Sequence, residues 1–348
     1  MSTWTKEEEE IVAANFGLLP VTQWANKLPK RSIEAIKKKG QRMGLRGLPH
    51  YQSPPRYEPA LPKPTDMTFD ELWEACYTFQ RASQELSTRQ DEVDVYLDVD
   101  TPIGITFLAD AHIGAVSTPL DKVRDTVYKI KDNPWLYVIG VGDKVDNYLP
   151  TKHPQGMFST LFPPELQKDL VKNLYSELIG RWIGIVQGCH DDFSHETDDF
   201  DFTKYLAEHL GCANMGFGGL IKLHVGEQLY EIAVRHKYRY NSSFNATHTC
   251  KRLREQEYNS ADIVCVAHNH ITAVEHGIAA GKDRVYIRPG SMKGVDRYAR
   301  SLGFSHTGYF MPTVILCPDK RKIYNFIHLD DAIDVYGGLI ENYESGRL

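Results

Sequence analysis

Val93, Val95, Leu97 and Val99 alternate with mostly polar neighbours, and the next apolar run, Ile103 to Leu108, is barely interrupted. Alternation marks a strand with one wet face, whereas an unbroken run marks a strand covered on both faces. From there the apolar period alternates between that of helices and that of strands. Helices are expected at about 119–131, 164–181, 200–210 and 247–258, and strands at 136–139, 183–186, 263–266, 285–288, 313–317 and 322–327, with a hairpin-like pair at 220–225 and 229–234. The fold class this predicts for residues 93–330 is α/β: a two-layer mixed β-sheet sandwich flanked by helices. Residues 331–348 read as a short acidic tail.

Upstream, three short helices are expected within residues 1–46. The first opens on a Thr5-to-Glu8 capping box and places Ile11, Val12 and Phe16 on one face. Val21, Trp24, Ala25 and Leu28 form a second apolar cluster, and Ser32 can cap a third helix that turns Ile33, Ile36 and Met43 inward. Six prolines between 47 and 66 exclude a helix there and read as an extended, semi-stiff linker. Within residues 67–92, Phe69, Leu72, Trp73, Cys76, Phe79 and Leu86 recur at helical spacing, so 68–90 should be an amphipathic helix. Its apolar stripe is expected to pack on the catalytic domain, the alternative being a seam in a homo-oligomer.

Charge changes this picture locally. The 348 residues carry a formal net charge of −6, yet Lys27, Lys30, Arg31, Lys37, Lys38, Lys39, Arg42 and Arg46 crowd into one stretch opposed only by Glu34. A nucleic-acid contact would therefore be confined to the third helix, where the candidates are Lys30, Arg31, Lys37, Lys38, Lys39, Arg42 and Arg46. The alternative is a solvated helix face with no ligand. The six cysteines (76, 189, 212, 250, 265, 317) form no CxxC pair, which suits a reducing compartment and leads to the expectation of a cytoplasmic protein. No apolar run approaches the ~18 residues of a membrane span, so no membrane partner is expected.

The candidate chemistry sits where the apolar runs stop. Asp110-Ala-His112, Gly142-Asp143-Lys-Val-Asp146, Gly188-Cys189-His190-Asp191, a solitary His236 and His268-Asn-His270 follow one another along the chain. Carboxylates, imidazoles and a thiol are what two divalent ions need, and strand ends meeting at one edge of a sheet would let distant side chains share them.

This ordered set resembles the calcineurin-like metallophosphoesterases, whose signature is DxH, GDxxD, GNHD or GNHE, a later His, and GHxH; the resemblance runs from about 93 to 327. It implies the metallophosphoesterase fold and two divalent ions (Mn, Zn or Fe). Asp110, His112, Asp143 and His270 would hold one ion, and Asp143 would bridge to a second held by His236 and His268. Two ions about 3.5–4 Å apart clamp a phosphate and make a hydroxide available near neutral pH. The catalytic residues implied are His190, acting on the departing oxygen, and Asp146, which orients it. Cys189 stands where the family has an asparagine ligand. Either it coordinates as a softer donor that favours zinc or iron, or it does not, leaving the second ion weak.

Lys152, His153 and Arg239 are candidates for holding substrate phosphate, and the segment Arg288 to Gly294 is similar to one near the site in phage and bacterial relatives. Asn147 and Asp191 depart from the phosphoprotein-phosphatase pattern, which carries GDxxDRG and GNHE. The nuclease branch fits better. The N-terminal stretch resembles Myb/SANT-like helix-turn-helix modules, on Trp4, Trp24, the Arg31-Ser32 entry and the basic third helix. The whole resembles phage-type relatives of the SbcD/Mre11 DNA repair nucleases, without a long C-terminal capping domain. That implies a DNA nuclease tethered to DNA; the alternatives are a phosphodiesterase or phosphatase for nucleotides or small phosphoesters, and a DNA-binding protein with a degenerate metal site.

Overall fold

The computed structural model describes residues 3–16, 21–45, 66–85, 90–242, 244–295, 300–301, 303 and 308–346. The expected linker at 47–66, apart from Asp66, and Arg46 lie outside these residues. The chain divides into two compact units, residues 1–84 and 85–348.

In the first unit, α1 (Lys6–Asn15) begins at the capping box read from the sequence: the Glu8 amide donates to the Thr5 hydroxyl and the Thr5 amide to the Glu8 carboxylate. Next come α2 (Val21–Trp24) with a 3-10 turn at Ala25–Lys27, and α3 (Ile33–Arg42), where Ser32 accepts from the Ala35 amide. Val12, Trp24, Leu28 and Ile36 form a small buried core of their own. Ile33, expected to face inward, is instead 39% exposed. The inward face is set by Ile36, Gly40 and Met43, and Ile33 falls at its margin because it belongs to the first turn. The expected amphipathic helix is α4 (Phe69–Glu85), and Phe69, Trp73 and Phe79 are exposed on it.

The second unit holds two six-stranded sheets among the described residues. One contains β2 (Ile103–Leu108), β3 (Leu136–Val141), β4 (Trp182–Val186) and β5 (Ala213–Asn214), all parallel, with β11 (Thr313–Leu316) antiparallel to β2 and β12 (Ile323–Phe326) antiparallel to β11. The other orders β1 (Glu92–Leu97), β6 (Gly218–Val225), β7 (Gln228–Arg235), β8 (Ile263–Val266), β10 (Lys282–Arg288) and β9 (Ala273–Ala279), with β7, β8 and β10 mutually parallel. Ile105, Phe107 and Ile139 from the first sheet and Ile221, Ile232 and Ile263 from the second belong to one buried cluster, which fills the space between the layers. Helices α5 (Leu120–Asp132), α6 (Pro164–Ser176) and α8 (Phe202–Leu210) cover the outer face of the first sheet, and α9 (His248–Gln256) covers the second. The expected two-layer mixed sandwich flanked by helices is the fold observed.

Two elements run against expectation. Residues 189–198 form α7 (Cys189–Asp198) directly after β4. The supposed acidic tail at 331–348 is mostly α10 (Leu329–Glu344), with Ala332 and Leu339 buried and Tyr336 stacked on Trp135 at 3.6 Å between ring centroids. Apolar residues at 329, 332, 336 and 339 give α10 a packing stripe that the surrounding aspartates and glutamates mask in a composition count. None of the helices among the described residues is long and apolar enough to cross a membrane.

A buried ion pair ties β3 to α7. The Lys144 ammonium lies 2.7 Å from the Asp191 carboxylate, both nearly inaccessible, and also donates to the Val186 carbonyl and the Thr203 hydroxyl. Replacing Lys144 by Met would strand the Asp191 charge, so Lys144→Met should lower stability by about 3–5 kcal/mol in urea unfolding at neutral pH. A loss below about 1 kcal/mol, the size of an exposed pair, would remove the pair from the list of structural supports.

Candidate metal centre

The topology gathers the motifs. Asp110 and His112 follow β2, Asp143 follows β3, Cys189 and His190 follow β4, His236 follows β7, and His268 and His270 follow β8. All are carboxyl ends of strands that run parallel within their sheets, the place where α/β folds leave room for ligands. Loops are stitched together there: the Asp110 amide donates to the Gly142 carbonyl and the His112 amide to the Asp143 carbonyl.

Donor atoms of Asp110, His112 and His270 lie within 4.8 Å of one another, and so do those of Cys189, His236 and His268. Asp143 stands between the groups, its Oδ2 3.1 Å from His236 Nε2 and 3.7 Å from His112 Nε2. Imidazole nitrogens face each other inside each group, His112 Nε2 to His270 Nε2 at 3.2 Å and His236 Nε2 to His268 Nδ1 at 3.2 Å. His236 donates through Nδ1 to the Val141 carbonyl, 2.8 Å away, which leaves Nε2 as its donor atom for an ion. Asp110 Oδ1 is buried and accepts no hydrogen bond among the described residues, although His270 Nε2 is 3.3 Å away. A buried carboxylate oxygen without a hydrogen bond, set among converging imidazoles, fits divalent cations.

The backbone is bent to make this arrangement. Asp110, His112, Asp143, His268 and His270 all have positive φ, between 43° and 74°, a region that residues other than glycine seldom occupy. A Cβ at Gly188 would collide with the Asp143 amide and carboxylate. Glycine at that position lets α7 approach until the His190 amide donates to Asp143 Oδ1 at 2.8 Å.

Burial and neighbouring charge set the protonation states. Burial acts to raise both Asp110 and Asp143, but the imidazoles around them win: His270 and His236 hold Asp110 below its usual value, and His236 and His190 hold Asp143 well below. Burial, with His190 beside one and His236 beside the other, pushes His112 and His268 down to about 4. His236 goes the other way, because the Asp143 carboxylate outweighs its burial. Two anionic carboxylates and two neutral imidazoles at neutral pH are ready to coordinate.

His190 stands beside the cluster, its ring 4.5 Å from that of His112. Asp146 does meet it, but through the backbone: His190 Nδ1 donates to the Asp146 carbonyl at 2.5 Å, while the carboxylate is 4.0 Å away. The Asp146 carboxylate instead lies 3.4 Å from His112 Nδ1, accepts from Thr160 Oγ1 at 3.1 Å, and pairs with Lys293 Nζ at 3.1 Å. His112 and Lys293 hold it down at about 2 against its burial. The segment bearing Lys293 also grips the first motif, since the Ser291 hydroxyl and the Met292 amide both donate to the Asp110 carbonyl. Lys293 belongs to the segment Arg288 to Gly294 that the sequence placed near the site, whereas Thr160 was not singled out. Lys293 also follows the end of a strand, β10, as the ligands follow theirs.

The phosphate candidates fare unequally. His153 packs against Tyr148 and Phe193, whose rings in turn contact His190. Lys152 is paired with Glu196, and Arg239 is bonded to Gln256 and lies against the rings of Tyr238 and Tyr240, with no hydrogen bond to the ligand set. On the N-terminal unit, Arg31 forks onto Glu8 and lies 4.4 Å over the Trp4 ring, and Lys39 pairs with Glu9. Lys37 is 3.8 Å from Glu34. Lys30, Lys38 and Arg42 are exposed and pair with no carboxylate among the described residues. Of the expected nucleic-acid contacts, those three remain outward and uncommitted.

No protein-family model matches the chain, and no curated protein matches it in sequence. Solved structures with partial likeness include Vacuolar Protein Sorting 29 from Cryptosporidium parvum, at 14% identity over 66% of this chain and 94% of that one, with a TM-score of 0.39. The counterpart from Entamoeba histolytica, complexed with zinc, matches at 13% identity over 64% of this chain and 97% of its own, with a TM-score of 0.35. The calcineurin-like phosphoesterase YfkN from Bacillus subtilis matches at 10% identity over 71% and 99%, with a TM-score of 0.34.

The depressed histidines make a pH prediction for the metal-free protein. An unfolded histidine takes up its proton near pH ~6.5, whereas folded His112 and His268 wait until about 4. Between those values the unfolded chain binds more protons, so stability should fall as pH drops through that window. His236, raised in the folded state, is protonated in both states over most of the window and adds little slope. Urea midpoints of chelator-treated protein from pH 7 to 4.5 should decline, and a His112→Asn variant should decline less. A wild-type midpoint that does not move would contradict the assigned protonation states.

Proposed function

We propose that this chain is a metal-dependent phosphodiester hydrolase, with DNA as its substrate. The observation that carries the reading is the pair of three-donor groups, Asp110/His112/His270 and Cys189/His236/His268, with the Asp143 carboxylate between them and His190 alongside. Bound there, two divalent ions would neutralise phosphate charge and supply a hydroxide nucleophile near neutral pH. The protein's own residues do the rest. Asp110, Asp143 and the imidazoles would hold the ions, while His190, with Nδ1 fixed on the Asp146 carbonyl, keeps Nε2 as the atom that would protonate the departing oxygen. Asp146, held by Lys293 and Thr160, keeps its negative charge 3.4 Å from His112 Nδ1, on the side of that ring away from Asp110 and Asp143.

Lys30, Lys38 and Arg42 on the N-terminal unit support DNA as the polymer bound, in the manner of helix-turn-helix modules that present a basic last helix. A unit so attached would raise the local concentration of substrate at the hydrolase. The engagement of Arg31 and Lys39 by Glu8 and Glu9 favours a second reading, in which this unit binds something other than DNA and the substrate is a nucleotide or small phosphoester.

A substrate panel tests both. Linear, circular and single-stranded DNA, a cyclic nucleotide and a generic aryl phosphodiester would be compared with Mn2+, Zn2+ and Fe2+. DNA cleavage abolished by chelation is expected, and turnover of the small esters alone would favour the second reading. His190→Ala should cut the rate by about 10²–10⁴-fold with metal content unchanged; an undiminished rate would remove His190 from the reaction. Reversing Lys30, Lys38 and Arg42 to Glu should weaken DNA binding and flatten its salt dependence while sparing hydrolysis of the aryl diester. Unchanged DNA affinity would show that α3 is not the contact.

A further inference from the structure

His236 is followed at once by cations and aromatic rings. Between β7 and α9, the described residues 237–242 and 244–247 include Lys237, Tyr238, Arg239, Tyr240 and Phe244. Phe244 is 100% exposed, and Tyr240 is exposed as well. The base of this segment is nonetheless firmly held. The Ser242 hydroxyl accepts from the amides of Phe244 and Asn245, and Thr249 Oγ1 donates to the Arg239 carbonyl at 2.9 Å. Buried Arg288 donates to Asn241 Oδ1, to the Ala246 carbonyl and to the carbonyl of Ala267, the residue before His268. One side chain thus ties the exposed turn, on both sides of Phe244, to the strand end that carries a candidate ligand.

Arg239 is oriented but not neutralised. Its guanidinium lies 5.0 Å from the centre of the Tyr240 ring and 5.8 Å from that of Tyr238, and it donates to the neutral Gln256 side chain. The neighbouring carboxylates are engaged elsewhere, Glu257 by Arg235 and Glu255 by Arg252. Lys237 is exposed and pairs with no carboxylate among the described residues. Arg31, forked onto Glu8, is the opposite case. Uncommitted cations suit phosphates, and an open aromatic face suits a base. Bases in a duplex already stack on one another, so only an unpaired base can lie on Phe244. We propose that this segment is a single-strand platform: Phe244 stacks an unpaired base while Lys237 and Arg239 hold phosphates of the same strand, so that DNA reaches the metal centre single-stranded. The proposal deepens the reading of DNA as substrate and rests on it, but it is tested by binding without turnover, so an inert protein that binds and an active one that does not are told apart.

The test titrates the full chain, with chelator present, into fluorescently labelled oligo(dT) and into a mixed-sequence duplex of the same length, and follows anisotropy. Phe244→Ala should weaken oligo(dT) binding by about 5- to 100-fold, the range for loss of one base stack, and leave duplex binding as it was. Phe244→Trp, which keeps a stacking face, should retain the wild-type affinity for oligo(dT). Arg239→Gln should weaken oligo(dT) binding and make its salt slope shallower by roughly 0.7, the share of one single-strand phosphate. Because Phe244 and Arg239 are exposed, their variants should keep the wild-type urea midpoint. A wild-type chain that does not bind oligo(dT), an oligo(dT) affinity unchanged in Phe244→Ala, an equal loss on duplex and single strand, or a Phe244→Trp variant as weak as Phe244→Ala would each overturn the platform.

Discussion

Two carboxylates, Asp110 and Asp143, are buried at neighbouring strand ends and kept anionic, although burial and their mutual repulsion both oppose charge. A buried anion persists only where positive charge or strong donors surround it. Here the surroundings are His236, His270, His190 and His112, reached from four separate stretches of chain. That requirement explains why the glycine before α7 has no room for a side chain and why five ligand residues tolerate a left-handed backbone. Strain of this kind costs on the order of 1–3 kcal/mol per residue and lasts only when the surrounding structure insists on it. The two sheets, with their shared apolar core, supply the insistence.

A second layer of charge holds the loops themselves. Lys144 neutralises Asp191 beneath the third motif, and Lys293 neutralises Asp146 beside the second. In each case a buried lysine neutralises an aspartate outside the two donor groups, which leaves Asp110 and Asp143 as the carboxylates of those groups. Neither lysine has a place in the motif pattern. Lys144 lies within the motif Gly142 to Asp146, yet its ammonium runs back under β4 to the Val186 carbonyl.

How far the sequence reveals the molecule depends on how local the deciding physics is. Strands β2 and β8 were readable to the residue because a buried strand needs an unbroken apolar run, and the Thr5-to-Glu8 cap because its hydrogen bonds span three residues. The ligand residues could be named because each stands just past such a run, yet nothing in the sequence gives the distances that divide them into two groups. Hidden features depend on distant partners. Lys293 meets Asp146 across 147 residues, and α10 rests on an apolar stripe diluted by acidic neighbours. Edge strand β9 was missed for a related reason: its residues are at most half-buried, so no apolar run marks it.

The N-terminal unit shows the converse error, in which composition says too much. Eight basic residues in one stretch suggest a broad cationic face, but Glu8 and Glu9 of α1 draw Arg31 and Lys39 inward, and Trp4 stacks under the guanidinium. Glu8 is held down to about 2 by Arg31 and its bond to Thr5, so this pair is charged over the whole physiological range. A phosphate competing for Arg31 would have to displace both a bidentate carboxylate and an aromatic face. Counter-ion release on DNA scales with the phosphates neutralised, so withdrawing Arg31 and Lys39 from the cationic face gives a shallower salt dependence than eight free cations would.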